Sequence, residues 1–266
     1  MKPFVGSVDA VMDRRILVNY RVRPEVLQRL VPRPFRVQEV GGWGLAGICL
    51  IRLRALRPAG LPAWMGLASE NAAHRVAVEW DEGGVKRSGV YILRRDTDSR
   101  VNEWAGGRLF PGVHGRARFR AVETAEGYTL AMETADGRAG VRVDVVHAAG
   151  WPAGSVWGSV DEASAFFRGG CCGWSATADG GGFEGAELEP EGWVMTPLRV
   201  REAWSGLYSD GALFPAGTIE LDSAVLMRGI AHTWRNRGVR GVGVGAWAGG
   251  GRVRGAHGPS AMFRFP

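Results

Sequence analysis

The fold is decided by the stretch RARFRAVETAEGYTLAMETADGRAGVRVDVVH, residues Arg116–His147. It splits into three short runs, Arg116–Glu123, Tyr128–Thr134 and Val141–His147, punctuated by Glu126-Gly127 and Asp136-Gly137. In the first run apolar and basic residues alternate with period two. Ala117, Phe119 and Ala121 therefore share one face, and Arg116, Arg118 and Arg120 the other. Glycine-containing turns between such runs mark antiparallel hairpins.

The pattern extends outward in both directions. His74–Trp80 and Val85–Arg94 flank the turn Asp81–Gly84, with a loop expected at Asp96–Ser99. Earlier strands are expected at Arg14–Val22 and Leu45–Ala55, and in the second Cys49, Ile51, Leu53 and Ala55 share a face. Later ones are expected at Trp174–Ala178, Phe183–Leu188 and Trp193–Arg201. Helical signals are few. Pro24 and Glu25 open a short helix with stripe Val26, Leu27, Leu30 and Val31, which Pro32 and Pro34 end. Ser159 to Glu162 forms a capping box for a helix reaching Phe167 or Arg168. Val225, Leu226, Ile230, Ala231 and Trp234 make a stripe that predicts a third helix over Asp222–Trp234. The expected fold is mainly β (β-rich α+β), a large antiparallel curved sheet of barrel-like form with a few short helices, rather than a βαβ fold. Residues 1–235 read as one domain and 236–266 as an irregular Gly/Arg-rich tail.

Composition narrows the function classes. The 266 residues carry a net charge of +6, with two lysines alone, Lys2 and Lys86, so the positive charge is almost all arginine. Acidic residues are interspersed, and no block of five or six like charges marks a nucleic-acid-binding tail. Nucleic-acid binding through Arg-rich faces is the weakest reading. Three cysteines, Cys49, Cys171 and Cys172, are too few for a disulfide framework. Charged residues interrupt any secretory signal or membrane span, so a cytoplasmic protein off the membrane is expected. The sequence leaves open whether it forms a homo-oligomer.

Motifs for familiar chemistry are missing. GVGVGAWA, Gly241–Ala248, does not open a βαβ unit, so no dinucleotide cofactor is expected. The histidines and cysteines lack metal-ligand spacing, so no metal is expected either. Two segments concentrate polar chemistry. Ser69–Arg75 places Glu70, Asn71, His74 and Arg75 together, either as loop caps or as a site. Gly106–Arg120 carries His114 and the arginine row, either as a solvated sheet face or as the wall of an anion site.

Several stretches resemble acetoacetate decarboxylase-like proteins. Tyr20–Val37, YRVRPEVLQRLVPRPFRV, is similar to the early strand and helix of that family. Gly107-Arg108 and the basic strand after it resemble the family's nucleophile segment, and Arg201–Gly206, REAWSG, a late motif. Gly89–Phe119 and FFRGGCCGWSA, Phe166–Ala176, resemble an uncharacterised, YqjF-like branch, a domain of unknown function. The resemblance covers roughly residues 10–235 and implies a β fold with a cavity for a small carboxylate- or carbonyl-bearing ligand. In the family a lysine forms a Schiff base with the substrate. Matching the segments puts Gly115 and Arg116 where the lysine pair stands, and arginine cannot form an imine. Decarboxylation is then lost unless Lys86 folds into the cavity. The resemblance makes Glu70 and His114 candidate acid–base groups, Arg116 with Arg14 or Arg15 candidate carboxylate clamps, and Arg75 a further ligand contact. An acid–base enzyme and a non-catalytic binding protein both fit.

Overall fold

The computed structural model describes residues 6–241. The chain opens with a long strand, β1 (Ser7–Val22), and a five-residue helix, α1 (Pro24–Gln28). Two short strands follow, β2 (Arg36–Val37) and β3 (Glu39–Val40), and then three long ones, β4 (Trp43–Pro58), β5 (Leu67–Glu82) and β6 (Val85–Thr97). Helix α2 (Arg100–Ala105) leads to the meander β7 (Gly115–Glu123), β8 (Gly127–Thr134) and β9 (Val141–His147). Helix α3 (Val160–Gly169), β10 (Cys172–Ala176), β11 (Gly182–Pro190), β12 (Thr196–Ser205) and the 23-residue β13 (Ile219–Gly241) complete it. The Ser159 cap is present, its Oγ accepting from the Glu162 amide at 3.2 Å, while the Glu162 carboxylate accepts from the Gly158 amide at 2.8 Å rather than from that of Ser159.

The strands join into one sheet that curves back on itself. Its order is β11-β10-β6-β7-β8-β9-β12-β13-β1-β4-β5-β2, and further pairings link β11 to β13 and β5 to β6. These links close two rings of strands that share β13, β1, β4, β5 and β6. One is completed by β10 and β11, the other by β7, β8, β9 and β12. The sheet is mixed rather than wholly antiparallel, because β6 pairs in parallel with both β10 and β7.

A wall shared by two rings is buried on both faces along its central stretch, and this explains the main error of the sequence reading. Asp222–Trp234 is part of strand β13, not a helix. Its neighbours Val225 and Leu226 are both buried, each in a different core cluster. A strand buried on both sides shows no period-two alternation, so its apolar run imitates a helical stripe. Gly229, at φ 65°, supplies a local kink within it. β13 also carries residues 236–241 into the sheet, where the irregular tail was expected to begin; residues 242–266 lie outside the described residues. Ser69–Arg75 lies inside β5 rather than in a loop before it. Helix α2, unmarked by periodicity, is capped by Ser99, whose Oγ accepts from the Asn102 amide at 3.2 Å.

Close packing holds the β6–β10 joint. A Cβ on Gly89 would collide with the backbone carbonyl of Cys172 and press on Trp80. Gly89→Ala should therefore cost about 1–3 kcal/mol by overpacking and lower the thermal midpoint. An unchanged melting curve would show that this joint does not hold the ring closed.

Candidate functional site

The ring formed by β13, β1, β4, β5, β6, β10 and β11 encloses a cavity of about 340 Å³, within the usual size of small-molecule sites. Most of its wall is apolar, including Met12, Ile51, Ile92, Phe167, Leu188 and Trp234. Helix α3 contributes Phe167, while α2 and the segment after it contribute Asn102, Phe110 and His114. The Gly106–Gly115 stretch thus helps to wall the cavity.

Among the described residues four arginines line this wall, and no aspartate or glutamate does. Arg57 lies 3.8 Å from Asp9 and also donates to the carbonyls of Ala55 and Leu61. Arg95 donates to Ser175 Oγ at 3.2 Å and feels the attraction of buried Glu184. The other two have no acidic partner among the described residues. Arg15 directs Nε at Cys49 Sγ, 3.4 Å away, and Nη1 at Met227 Sδ, 3.8 Å away. Arg75 is 93% buried. Its Nη2 donates to Asn19 Oδ1 at 2.9 Å, its guanidinium carbon stands 4.9 Å from the Phe167 ring centroid, and its Nε has no partner. Burial lowers the Arg75 pKa to about 10, with Arg15 adding repulsion. It remains a cation at neutral pH, held in an apolar site without a counter-charge. Such a charge is costly until an anion pairs with it.

β-Bulges aim two of these arginines. In β1, Met12 and Arg15 both line the cavity although they lie three residues apart, because the register against β4 shifts between Met12 and Arg14. In β6, Ile92 and Arg95 both line it, because the register against β5 shifts at His74/Arg75 and leaves Leu93 without an opposite number. A bulge re-aims the side chains beyond it. Strict period-two reading of the sequence does not anticipate either change.

The predicted site residues fall in three places. Arg15, Arg75 and His114 line the cavity. Glu70 and Arg14 meet elsewhere. Glu70 Oε2 accepts from Arg14 Nη2 at 2.6 Å, and its Oε1 from Arg52 Nε at 2.7 Å. Glu123 bridges Arg14 at 2.7 Å, Arg52 at 2.8 Å and Arg228 at 3.3 Å. Both Glu70 oxygens are thus clamped by guanidinium groups, an arrangement suited to joining β1, β4, β5 and β7. Arg116 is also absent from the cavity wall; it sits opposite Thr97 at the parallel β6–β7 joint, with Nη1 buried and without a partner. Lys86 is exposed and pairs with Glu79 at 2.6 Å, outside the cavity. Sequence reasoning missed Cys49, Arg95 and Asn102 as wall residues. The Arg94-Arg95 doublet inside an apolar strand was the available signal.

His114 bonds through Nδ1 to the Gly112 carbonyl at 2.8 Å. A carbonyl only accepts, so the neutral ring carries its proton on Nδ1 and leaves Nε2 as an acceptor. Burial, with Arg95 nearby, lowers its pKa to about 3. The imidazole is neutral at physiological pH and is a weak base. Among the described residues no group of three His, Cys, Asp or Glu could hold a metal ion.

This architecture is the acetoacetate decarboxylase-like fold. It is similar to acetoacetate decarboxylase from Legionella pneumophila subsp. pneumophila str. Philadelphia 1, with TM-score 0.58, 11% identity and 88% of each chain covered. The acetoacetate decarboxylase-like enzyme from Sphingomonas wittichii RW1 matches at TM-score 0.51 and 15% identity, over 89% of this chain and 92% of that one. The enduracididine biosynthesis enzyme MppR, complexed with pyruvate, matches at TM-score 0.52 and 13% identity, over 91% and 92%. No curated protein matches in sequence. The family model for DUF2071, an uncharacterized conserved protein, matches residues 10–166, and the chain belongs to that family.

Three imidazoles, His74 and His232 buried and His114 half-buried, set an acid limit on the fold. His74 and His114 are lowered to about 3 and His232 to about 4, in each case mainly by burial. The unfolded chain binds these protons near pH 6.5, while the folded chain does so only near pH 3–4. The unfolded state thus holds more protons in between, and stability rises with pH. Stability should be full above about pH 6.5 and fall toward pH 4, by up to about 1.4 kcal/mol per pH unit for each imidazole. Urea unfolding at pH 7 and pH 5 measures this; equal midpoints would contradict it.

Proposed function

We propose that the cavity binds a small carboxylate- or carbonyl-bearing molecule, with its negative charge held by Arg15 and Arg75. One observation carries this reading: a 93% buried guanidinium with an unpartnered Nε faces an apolar cavity with no acid on its wall among the described residues. A carboxylate supplies the missing counter-charge and accepts the missing hydrogen bond. The MppR complex with pyruvate supports it, since a chain of the same fold has been seen with a carboxylate of this class.

Schiff-base decarboxylation is not part of the proposal. Lys86 is exposed and ion-paired with Glu79, and Lys2 lies outside the described residues. With Glu70 clamped and His114 a weak base, the geometry favours binding over acid–base turnover. Exposed arginines such as Arg36 and Arg235 pair with acids, which argues against a nucleic-acid surface.

Pyruvate and acetoacetate should raise the thermal midpoint of the native protein. Arg75→Met should lose about 10–100-fold in affinity, the worth of a charge-assisted hydrogen bond, while the ligand-free protein stays folded. The reading fails if neither acid shifts the midpoint, or if the variant responds like the native protein. Borohydride with acetoacetate should leave Lys86 unmodified; an adduct there would restore the Schiff-base reading.

A further inference from the structure

We propose that Cys49 is a reactive thiol of the cavity, positioned to form a covalent bond with a carboxylate ligand that carries an electrophilic carbon. This rests on the reading of the cavity as an anion site. Cys49 lies on β4, paired with Leu17 of β1 and Ala73 of β5, and its Sγ accepts the Arg15 Nε–H at 3.4 Å. It also lies near enough to Arg75 and Arg95 to interact with their charges. The cavity wall thus brings a sulfur and two guanidinium groups without acidic partners among the described residues to one place, and Ala73, the cross-strand neighbour of Cys49, lies on the same wall. The Arg75 Nε, buried and unpartnered, marks where a carboxylate belongs.

Cys171 and Cys172 are the other two thiols. Burial raises both, Cys172 to about 12, so they stay protonated at neutral pH. Cys171 also borders the cavity, with its Sγ toward the Phe167 carbonyl at 3.7 Å, and Cys172 borders a separate surface groove.

The ligand class that fits is an α,β-unsaturated carboxylate. The sulfur bonds to the β-carbon, the carbon–carbon π bond opens, and the α-carbon takes the proton that the thiol gives up. Iodoacetate is a direct probe of the same geometry. Its CH₂ carbon bonds to sulfur, the carbon–iodine bond breaks, iodide leaves with the electron pair, and the thiol proton goes to water.

The test compares alkylation by iodoacetate and by neutral iodoacetamide, with the modified peptide mapped by mass spectrometry. Cys49 should react faster with iodoacetate, by roughly tenfold or more, as a positively charged cleft concentrates an anion. Pyruvate should protect it. Arg15→Gln and Arg75→Gln should remove the preference for the anion while leaving Cys49 accessible to iodoacetamide. The proposal is overturned if Cys171 or Cys172 reacts first, if iodoacetamide wins in the native protein, or if Cys49 is labelled only after unfolding. Cys49→Ser separates the two levels of inference. If that variant binds pyruvate while native Cys49 resists iodoacetate, the thiol proposal falls and the anion site stands. If pyruvate binds neither form, both fall.

Discussion

The structure depends on one constraint: five strands, β13, β1, β4, β5 and β6, serve as a wall common to two rings of paired strands. Where the wall is central, as at Ile16–Tyr20 of β1 and Asp222–Met227 of β13, a strand has no solvent face. Every second residue must suit one interior and every other residue the opposite one. Ile16 and Val18 of β1 join one core, and Met12 and Leu17 join the other. Polar residues on this wall are also confined to one side or the other, and they must find partners there or remain unsatisfied.

The two sides resolve their charge differently. On one side Arg14, Arg52, Glu70, Glu123 and Arg228 form a mutually compensating cluster across several strands. On the other, Arg15 and Arg75 contact sulfur, an amide and an aromatic face, but no carboxylate among the described residues. Adjacent residues, Arg14 and Arg15, thus belong to different chemical environments. The first arrangement ties strands together; the second leaves two guanidinium groups without a carboxylate among the described residues, and on this the proposed anion site rests. The bulge at Asp13 decides which arginine goes where, since its extra residue sets the alternation of β1 beyond it.

Much of the fold is legible in the sequence because hairpins leave local marks. The meander from Arg116 to His147, the proline-opened α1 and the Ser159 cap all appear where residue chemistry places them. What stays hidden is non-local. Val225 and Leu226 look like one helical stripe until a second ring gives each its own core. The parallel joints of β6 join segments with no turn between them to announce the pairing. The site is legible to the same extent. Arg15, Arg75 and His114 line the cavity. Glu70 and Arg116 do not line it, because neighbouring residues on a strand point to opposite faces and the sequence does not say which face holds the space. Cys49 is visible as a strand residue, but its contact with Arg15, 34 positions away, is not.

The central claim is that the cavity between Arg15 and Arg75 is where an anion binds. A crystal structure of the protein grown with a bromine-labelled small carboxylate, located by anomalous scattering, tests it most directly. The account predicts the carboxylate within hydrogen-bond reach of the Arg75 Nε and the Arg15 guanidinium, with bromine among the apolar wall residues. A carboxylate bound instead at Arg116, or at the Arg14–Glu70 cluster, with the cavity left empty, would contradict it.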